Sequence, residues 1–197
     1  MHAGAGTERH VTTRIANLDV VLRDGSTVCL RQAADQDVDA LAAFLRSLSS
    51  ESQYFRFLGV RRLSAATVRA LLSSRGGPAT SLVAECGGRI VAFAGFYSTP
   101  ESPDRAEVAF AVADALHGHG IGTRMLEQLA RVARAQDIFT FDAYVMATNY
   151  RMVQMFRDSG FPVTTTLEDG LSHVVVKKNR SAATAPFIVG GCTLCSR

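Results

Sequence analysis

The sequence predicts a mixed α+β fold in layers, a central mixed sheet of about six to seven strands flanked by about four helices. Three observations carry this. Two β-favouring runs, Ser81 to Glu85 and Arg89 to Tyr97, flank Gly87-Gly88, the pair expected of a tight hairpin turn, so part of the sheet is antiparallel. Apolar residues recur at helical spacing in Val38, Leu41, Ala42, Leu45 and Leu48, and again in Ile121, Met125, Leu129, Val132 and Ala133. In the C-terminal half, strand-like and helical segments alternate, with a glycine-rich turn joining the strand Arg105 to Val112 to the second of these helices.

Taken in order, residues 1–17 are polar and lack an apolar period, and read as a flexible arm ahead of a domain over 18–178; residues 179–197 read as a C-terminal tail. Leu18 to Leu22 and Thr27 to Leu30 are short strands about the turn signal Asp24-Gly25. Asp35 is expected to cap the first helix. Tyr54, Phe55 and Phe57 fall in an irregular stretch before a second helix from Ala65 to Ser74, which Gly76-Gly77-Pro78 ends. A loop with Pro100 and Pro103 leads to the strand Arg105 to Val112. Beyond the long helix, Phe139 to Met146 is a strand, Tyr150 to Asp158 a short helix with Phe156 inward, and Leu171 to Val176 the last strand.

With 197 residues, 47% hydrophobic and 20% charged, the chain has material for a proper core and is not composed like a disordered protein. Its longest apolar runs, such as Ile90 to Phe96, fall far short of the about 18 residues of a membrane helix, and residues 1–14 lack an apolar signal core, so no membrane partner and a cytoplasmic setting are expected. The net charge is only +3 and the basic residues are scattered, the densest pairs being Arg61-Arg62 and Lys177-Lys178, so no nucleic-acid partner is expected. Cys29 and Cys86 read as free thiols in strands. Cys192 and Cys195 have CxxC spacing but head no helix, and isolated histidines complete no zinc set, so no metal is expected.

Chemistry concentrates in His117-Gly118-His119-Gly120-Ile121-Gly122-Thr123. A glycine-rich turn ahead of a helix leaves backbone N–H groups free, which suits a phosphate or pyrophosphate. A nucleotide P-loop needs Lys where Gly122 stands, and a dinucleotide fingerprint needs Gly or Ala where Thr123 or Met125 stands. In the preceding strand, period two sets Glu107, Ala109, Ala111 and Ala113 on one face and Val108, Phe110 and Val112 on the other. The alanines leave room for a ligand beside one carboxylate.

The run from Glu107 to Phe161 resembles the acetyl-CoA-binding core of the GNAT acyltransferases, whose loop has the form Q/R-x-x-G-x-G/A ahead of a helix. The second half of that core, a strand, then Asn, then a helix ending in Gly-Phe, is matched by Asp142 to Met146, Asn149 and Gly160-Phe161. Leu22-Arg23-Asp24-Gly25-Ser26, Leu30-Arg31, Asp37, Leu48-Ser49, Glu51-Ser52, Tyr54, Arg56-Phe57 and Ala106 to Phe110 resemble one branch, the catalytic domain of the bacterial protein lysine acetyltransferases (Pat-like), over about Leu18 to Val176. That domain is often fused to a cyclic-nucleotide-binding or acyl-CoA-synthetase-like module; here the catalytic domain alone is expected.

The resemblance implies the GNAT fold, acetyl-CoA as acetyl donor, and transfer to a lysine side chain of a protein, with acyl-CoA synthetases the favoured substrates. It implies Glu107 as general base, because a lysine amine of pKa about 10.4 must lose a proton before it attacks a thioester. It implies that backbone groups of Phe110, Ala111 and Val112 hold the pantetheine arm and polarise the thioester carbonyl. The N–H groups of His117, Gly118, His119, Gly120, Ile121, Gly122 and Thr123 then cradle the pyrophosphate, and Asn149 hydrogen-bonds the pantetheine. Two alternatives stand beside it. One is an acetyltransferase of small amines, with Glu101, Asp104 and Asp142 as carboxylates of a closed pocket; the other is a non-catalytic acetyl-CoA sensor.

Three departures from the family pattern matter. His117 and His119 replace the usual Gln and Arg, which ties phosphate contact to imidazole charge near pH 6.5. Phe156 stands where many relatives have the Tyr that protonates the departing thiolate, leaving Tyr144 and Tyr150 as the phenols to consider. Lys177 and Lys178 are the only lysines, which confines self-acetylation to them and the N-terminus.

Overall fold

The structure, a computed structural model, describes residues 15–59, 63–73 and 79–178. The first fourteen residues, the Arg61-Arg62 pair, the Gly76-Gly77-Pro78 stop and the tail with its CxxC lie outside the described residues. The elements are β1 (Leu18–Val21), β2 (Thr27–Gln32), α1 (Val38–Ser47), α2 (Ser50–Phe57), α3 (Ala65–Leu72), β3 (Ala79–Cys86), β4 (Arg89–Thr99), β5 (Ser102–Val112), α4 (Ile121–Arg134), β6 (Thr140–Met146), α5 (Tyr150–Arg157), β7 (Val163–Glu168) and β8 (Leu171–Lys177). Eight strands form one sheet in the order β1-β2-β3-β4-β5-β6-β8-β7. Every neighbouring pair is antiparallel except β5 and β6.

Alternation along the strands builds two cores. Leu30, Leu82, Ala84, Phe96, Val108 and Phe110 face α4 and α5, where Ile121, Met125, Leu126, Leu129 and Phe156 close against them. Val83, Phe93 and Ala111 face the other way, onto Leu41 and Leu45 of α1 and Val68 of α3. The sheet is thus the middle layer of three, and each fully buried Leu or Phe contributes about 1.5–3 kcal/mol to holding the layers together. Among the described residues no helix is long and apolar enough to cross a membrane.

The mixed layered fold agrees with the expectation, with eight strands and five α-helices among the described residues. Three local readings are corrected, and one strand that the sequence reading did not include is added. Tyr54, Phe55 and Phe57 are helical, in α2, capped by Ser49. Val163–Glu168 is an edge strand that pairs with β8 across Asp169-Gly170. Asp35 opens a 3₁₀ turn over Asp35–Asp37 instead of capping the helix, and α1 starts at Val38. Finally, β5 begins at Ser102, so Pro103 lies inside a strand. It is tolerated because pairing with β6 starts only at Arg105, which leaves that part of β5 an edge.

One feature of the sheet positions the site. The parallel pair β5 and β6 is in register only over Arg105↔Thr140, Ala106↔Phe141 and Glu107↔Asp142. Beyond it β5 stays paired with β4 up to Val112, and β6 stays paired with β8 up to Met146. The two strands part at Glu107 and Asp142, and half of the backbone N–H and C=O groups of Val108 to Val112 face the resulting gap.

Candidate active site

Glu107 sits where the strands part and lines a cleft of about 320 Å³. Phe57 of α2, Leu58 just past its end, Leu71 of α3, Gly95 and Tyr97 of β4, Ala109, Tyr144 of β6 and Leu171 of β8 surround it. Among the described residues lining the cleft, Glu107 is the only carboxylate and Arg56 the only cation. The floor is kept low by Gly95 and Ala109, which face each other across β4 and β5. A Cβ on Gly95 would lie 3.0 Å from Ser81 Oγ and 3.1 Å from the Thr80 carbonyl oxygen, tighter than ordinary contact, so a larger residue there would need β3 to give by a few tenths of an ångström. Of the alanine face read from the sequence, Ala109 opens to the cleft, whereas Ala111 is packed into the core under α1 and α3.

The other carboxylates considered for holding an amine are placed elsewhere. Asp142 is engaged: its Oδ1 accepts from Arg105 at 2.5 Å and from His173 Nε2 at 2.7 Å, and its Oδ2 accepts from Arg105 Nε at 3.0 Å. Glu101 and Asp104 are exposed on the β4–β5 hairpin, outside the cleft.

At the far end of the gap lies the glycine-rich turn. Gly118 and Gly120 take φ of 80° and 91°, and neither has an atom within 4 Å of where a Cβ would stand. Gly120 is the N-cap of α4, so no side chain caps that helix, whereas Ser49, Ser64 and Asn149 cap α2, α3 and α5. The first N–H groups of α4, which have no intrahelical partner, are therefore left without a side-chain cap, and the helix dipole adds partial positive charge there. That is a cradle for an anion built from backbone alone.

The two histidines of the turn are held by hydrogen bonds. His117 donates from Nε2 to the Val112 carbonyl at 3.0 Å and accepts at Nδ1 from Arg151 of α5 at 3.2 Å. A carbonyl can only accept and a guanidinium only donate, so this geometry defines the neutral Nε2–H tautomer. His117 thus ties the two arms of the gap together and occupies the Val112 carbonyl. His119 donates from Nδ1 to the His117 carbonyl at 3.0 Å and turns Nε2 toward Asp24 of the β1–β2 turn, 3.5 Å away. The Asp24 carboxyl is lowered by its hydrogen bonds from the Ser26 hydroxyl and N–H, with His119 adding to the effect.

A model of the acetyltransferase (GNAT) family matches residues 43–161. The chain belongs to this family. It is similar to the GNAT domain of Pat from S. lividans, at 34% identity over 82% of this chain and 96% of that one, with a TM-score of 0.74. A cAMP-binding acyltransferase from Mycobacterium smegmatis is 25% identical over 87% of this chain, which spans half of that longer protein (TM-score 0.60). The Salmonella typhimurium protein yncA, solved with its cofactor acetyl-CoA, shares the fold at 19% identity over 83% of this chain and 100% of that one (TM-score 0.57).

As a GNAT acetyltransferase the protein uses acetyl-CoA, and the residues present fit it. The uncapped α4 N-terminus and the vacant space beside Gly118 and Gly120 match a pyrophosphate, and the unpaired edge of β5 matches an extended amide-bearing arm. The side chains of Phe110 and Ala111 are buried, so only their backbone can contribute. Asn149 spends its Oδ1 on the Met152 N–H at 3.2 Å, which leaves its amide N–H₂ as a donor. Phe156 is buried edge-on against Phe110 at 5.8 Å, and Tyr150 is 76% exposed at the start of α5. Tyr144 alone of these three lines the cleft. His173 and Arg56 were not legible as site residues, because only the β6–β8 register and the folding of α2 bring them to this face.

Proposed function

We propose that this GNAT acetyltransferase transfers an acetyl group from acetyl-CoA to a lysine side chain of a protein, with acyl-CoA synthetases as favoured acceptors. The observation that carries the reading is the single carboxylate of the cleft, Glu107, at the point where β5 and β6 part. Acetyl-CoA supplies the activated thioester. Glu107 takes a proton from the lysine ammonium, and the freed amine attacks directly within a ternary complex. A C–N bond forms, the C–S bond breaks, and the proton leaves with the thiol or to water. Backbone N–H groups along the free edge of Val108 to Val112 orient the donor and stabilise charge at the carbonyl oxygen. The N–H groups from Gly118 to Thr123 hold the pyrophosphate, whereas that of His117, expected from the sequence to join them, donates to the Asp114 carbonyl at 3.3 Å; the Asn149 amide donates to the pantetheine.

A protein acceptor fits the cleft better than a small amine. With Asp142 engaged by Arg105 and His173, Glu107 has no second carboxylate beside it to clamp a free ammonium. The cleft rim is also apolar and open at Leu58 and Tyr144, both of which are more than a third exposed. The 34% identical Pat GNAT domain supports the same direction.

The test measures coenzyme A release and acetyl-lysine by mass spectrometry, with a panel of acyl-CoA synthetases and small amines, for the native protein and Glu107→Gln. Lysine acetylation that falls at least tenfold in the variant, about 1.4 kcal/mol of transition-state stabilisation, supports both acceptor and base. Turnover of small amines only, or acetyl-CoA binding without turnover, overturns the reading.

A further inference from the structure

Beside Glu107 the exposed face of β5, β6 and β8 carries a chain of four contacts that the chemistry of the base does not use. Arg105 clamps Asp142 through Nε and a terminal nitrogen, at 3.0 and 2.5 Å. Asp142 in turn accepts from His173 Nε2 at 2.7 Å. The His173 ring lies flat against Tyr144, with centroids 4.9 Å apart and planes 10° from parallel. The sheet register explains why these four meet: Arg105 pairs with Thr140, Glu107 with Asp142 and Tyr144 with His173, so alternate side chains from three strands emerge on one face. Asp142 is largely buried while Tyr144 is 49% exposed, so the chain runs from an anchored ion pair outward to a solvent-facing ring.

An exposed tyrosine on a strand ordinarily samples several rotamers. Here one face of the ring is occupied by the imidazole, whose own orientation is fixed by a carboxylate that is held in two places. The ring is therefore set in advance at the wall of the cleft that Phe57, Leu58 and Glu107 also line. Such a wall suits a side chain with a long apolar stem and a cationic tip: methylenes pack on the ring, and an aromatic face attracts an ammonium.

We propose that Tyr144 is the acceptor-recognition residue of the cleft, its ring forming one wall of the slot that guides a lysine side chain to Glu107, and that His173, Asp142 and Arg105 are positioning residues that hold it. This deepens the reading above and rests on it. Tyr144 touches the acceptor and not acetyl-CoA, and what it supplies is its ring and not its hydroxyl.

Steady-state kinetics on a lysine-containing acceptor peptide, together with equilibrium binding of acetyl-CoA by calorimetry, test the proposal. Tyr144→Ala is expected to raise the acceptor KM at least tenfold, with acetyl-CoA affinity moving less than twofold. Tyr144→Phe, which keeps the ring, recovers most of that loss. His173→Ala raises the acceptor KM several-fold, and His173→Phe, which keeps a stacked ring but cannot donate to Asp142, recovers only part of that loss. An unchanged acceptor KM in Tyr144→Ala overturns the proposal, as does a fall in kcat without a change in KM. A Tyr144→Phe variant as impaired as Tyr144→Ala also overturns it, because the hydroxyl is then what matters. If the native protein acetylates lysine and only the Tyr144 effects are missing, this inference alone fails; if the native protein acetylates no lysine, the functional reading fails with it.

Discussion

Gly120 holds its backbone at φ 91° while serving as the N-cap of α4, and the volume beside its α-carbon is empty. An alanine there would meet no atom, so its penalty comes from the left-handed backbone alone, about 1–2 kcal/mol. A glutamate adds a side chain and a negative charge in the space where the diphosphate would lie, beside N–H groups it can itself satisfy. Gly120→Glu is therefore expected to abolish the thermal stabilisation that acetyl-CoA gives, while Gly120→Ala lowers the melting temperature but keeps part of that ligand shift. Thermal shift with and without acetyl-CoA checks both; a full ligand shift in Gly120→Glu would place the cofactor elsewhere. His117 shows why such single-residue readings need the fold. In the sequence it stood as a phosphate contact; in the structure it is spoken for on both nitrogens, by the Val112 carbonyl and Arg151.

Among the elements, legibility followed pattern and turn chemistry. α4 could be read because seven of its residues are buried on one side, and β3 and β4 because Gly87-Gly88 joins two apolar runs. α2 has no fully buried residue, so no apolar period marks it; its signal was the Ser49 cap, whose hydroxyl accepts from the Ser52 N–H at 3.1 Å. β7 is a threonine-rich edge strand, exposed on both faces beyond Val163, and its one mark was Asp169-Gly170, the same turn dipeptide as Asp24-Gly25. The cleft was legible as Glu107 and its small neighbours, but its rim depends on α2. That helix is held at its start by Asp114, which accepts from the Ser49 N–H at 2.9 Å, the Ser49 hydroxyl at 2.7 Å and the Ser52 hydroxyl at 2.6 Å. Asp114→Ala is expected to loosen α2 locally by about 1 kcal/mol, the usual worth of a cap contact. Amide hydrogen exchange should then quicken roughly fivefold over Gln53–Phe57 and stay unchanged in α4. Uniform acceleration across the chain would mean that Asp114 supports the whole fold and not one helix.

For the molecule as a whole, the titrating groups predict how stability varies with pH. Burial works to raise the Asp114 carboxyl, but the serine hydrogen bonds outweigh it and bring it down to about 2. Asp37 is lowered by its two-point contact with Arg31, at 2.7 Å on each oxygen. Both carboxylates are ionised in the folded state over a range where the unfolded chain still binds protons, so stability falls as pH drops below about 4 toward their folded values. Lys178 acts at the other end. It is 5% exposed, its ammonium lies 3.4 Å from the centre of the Phe141 ring, and burial, with Arg134 adding repulsion, lowers it to about 7. The unfolded lysine keeps its proton until about pH 10.4. Between about pH 7 and 10.4 the unfolded chain therefore holds more protons than the folded one, and stability rises with pH through that window. The expected profile climbs from acid, continues upward past neutrality, and peaks on the alkaline side of the pH 5 to 8 range common to most proteins. Lys178→Met, similar in volume and uncharged, removes the alkaline climb and raises stability at pH 7 by about 1 kcal/mol, a gain of about 2–4 °C for a chain of this size. Melting temperatures of the native protein and Lys178→Met from pH 4 to 10 decide the matter: parallel curves would mean that Lys178 keeps its proton in the folded state, and convergence at high pH that it does not.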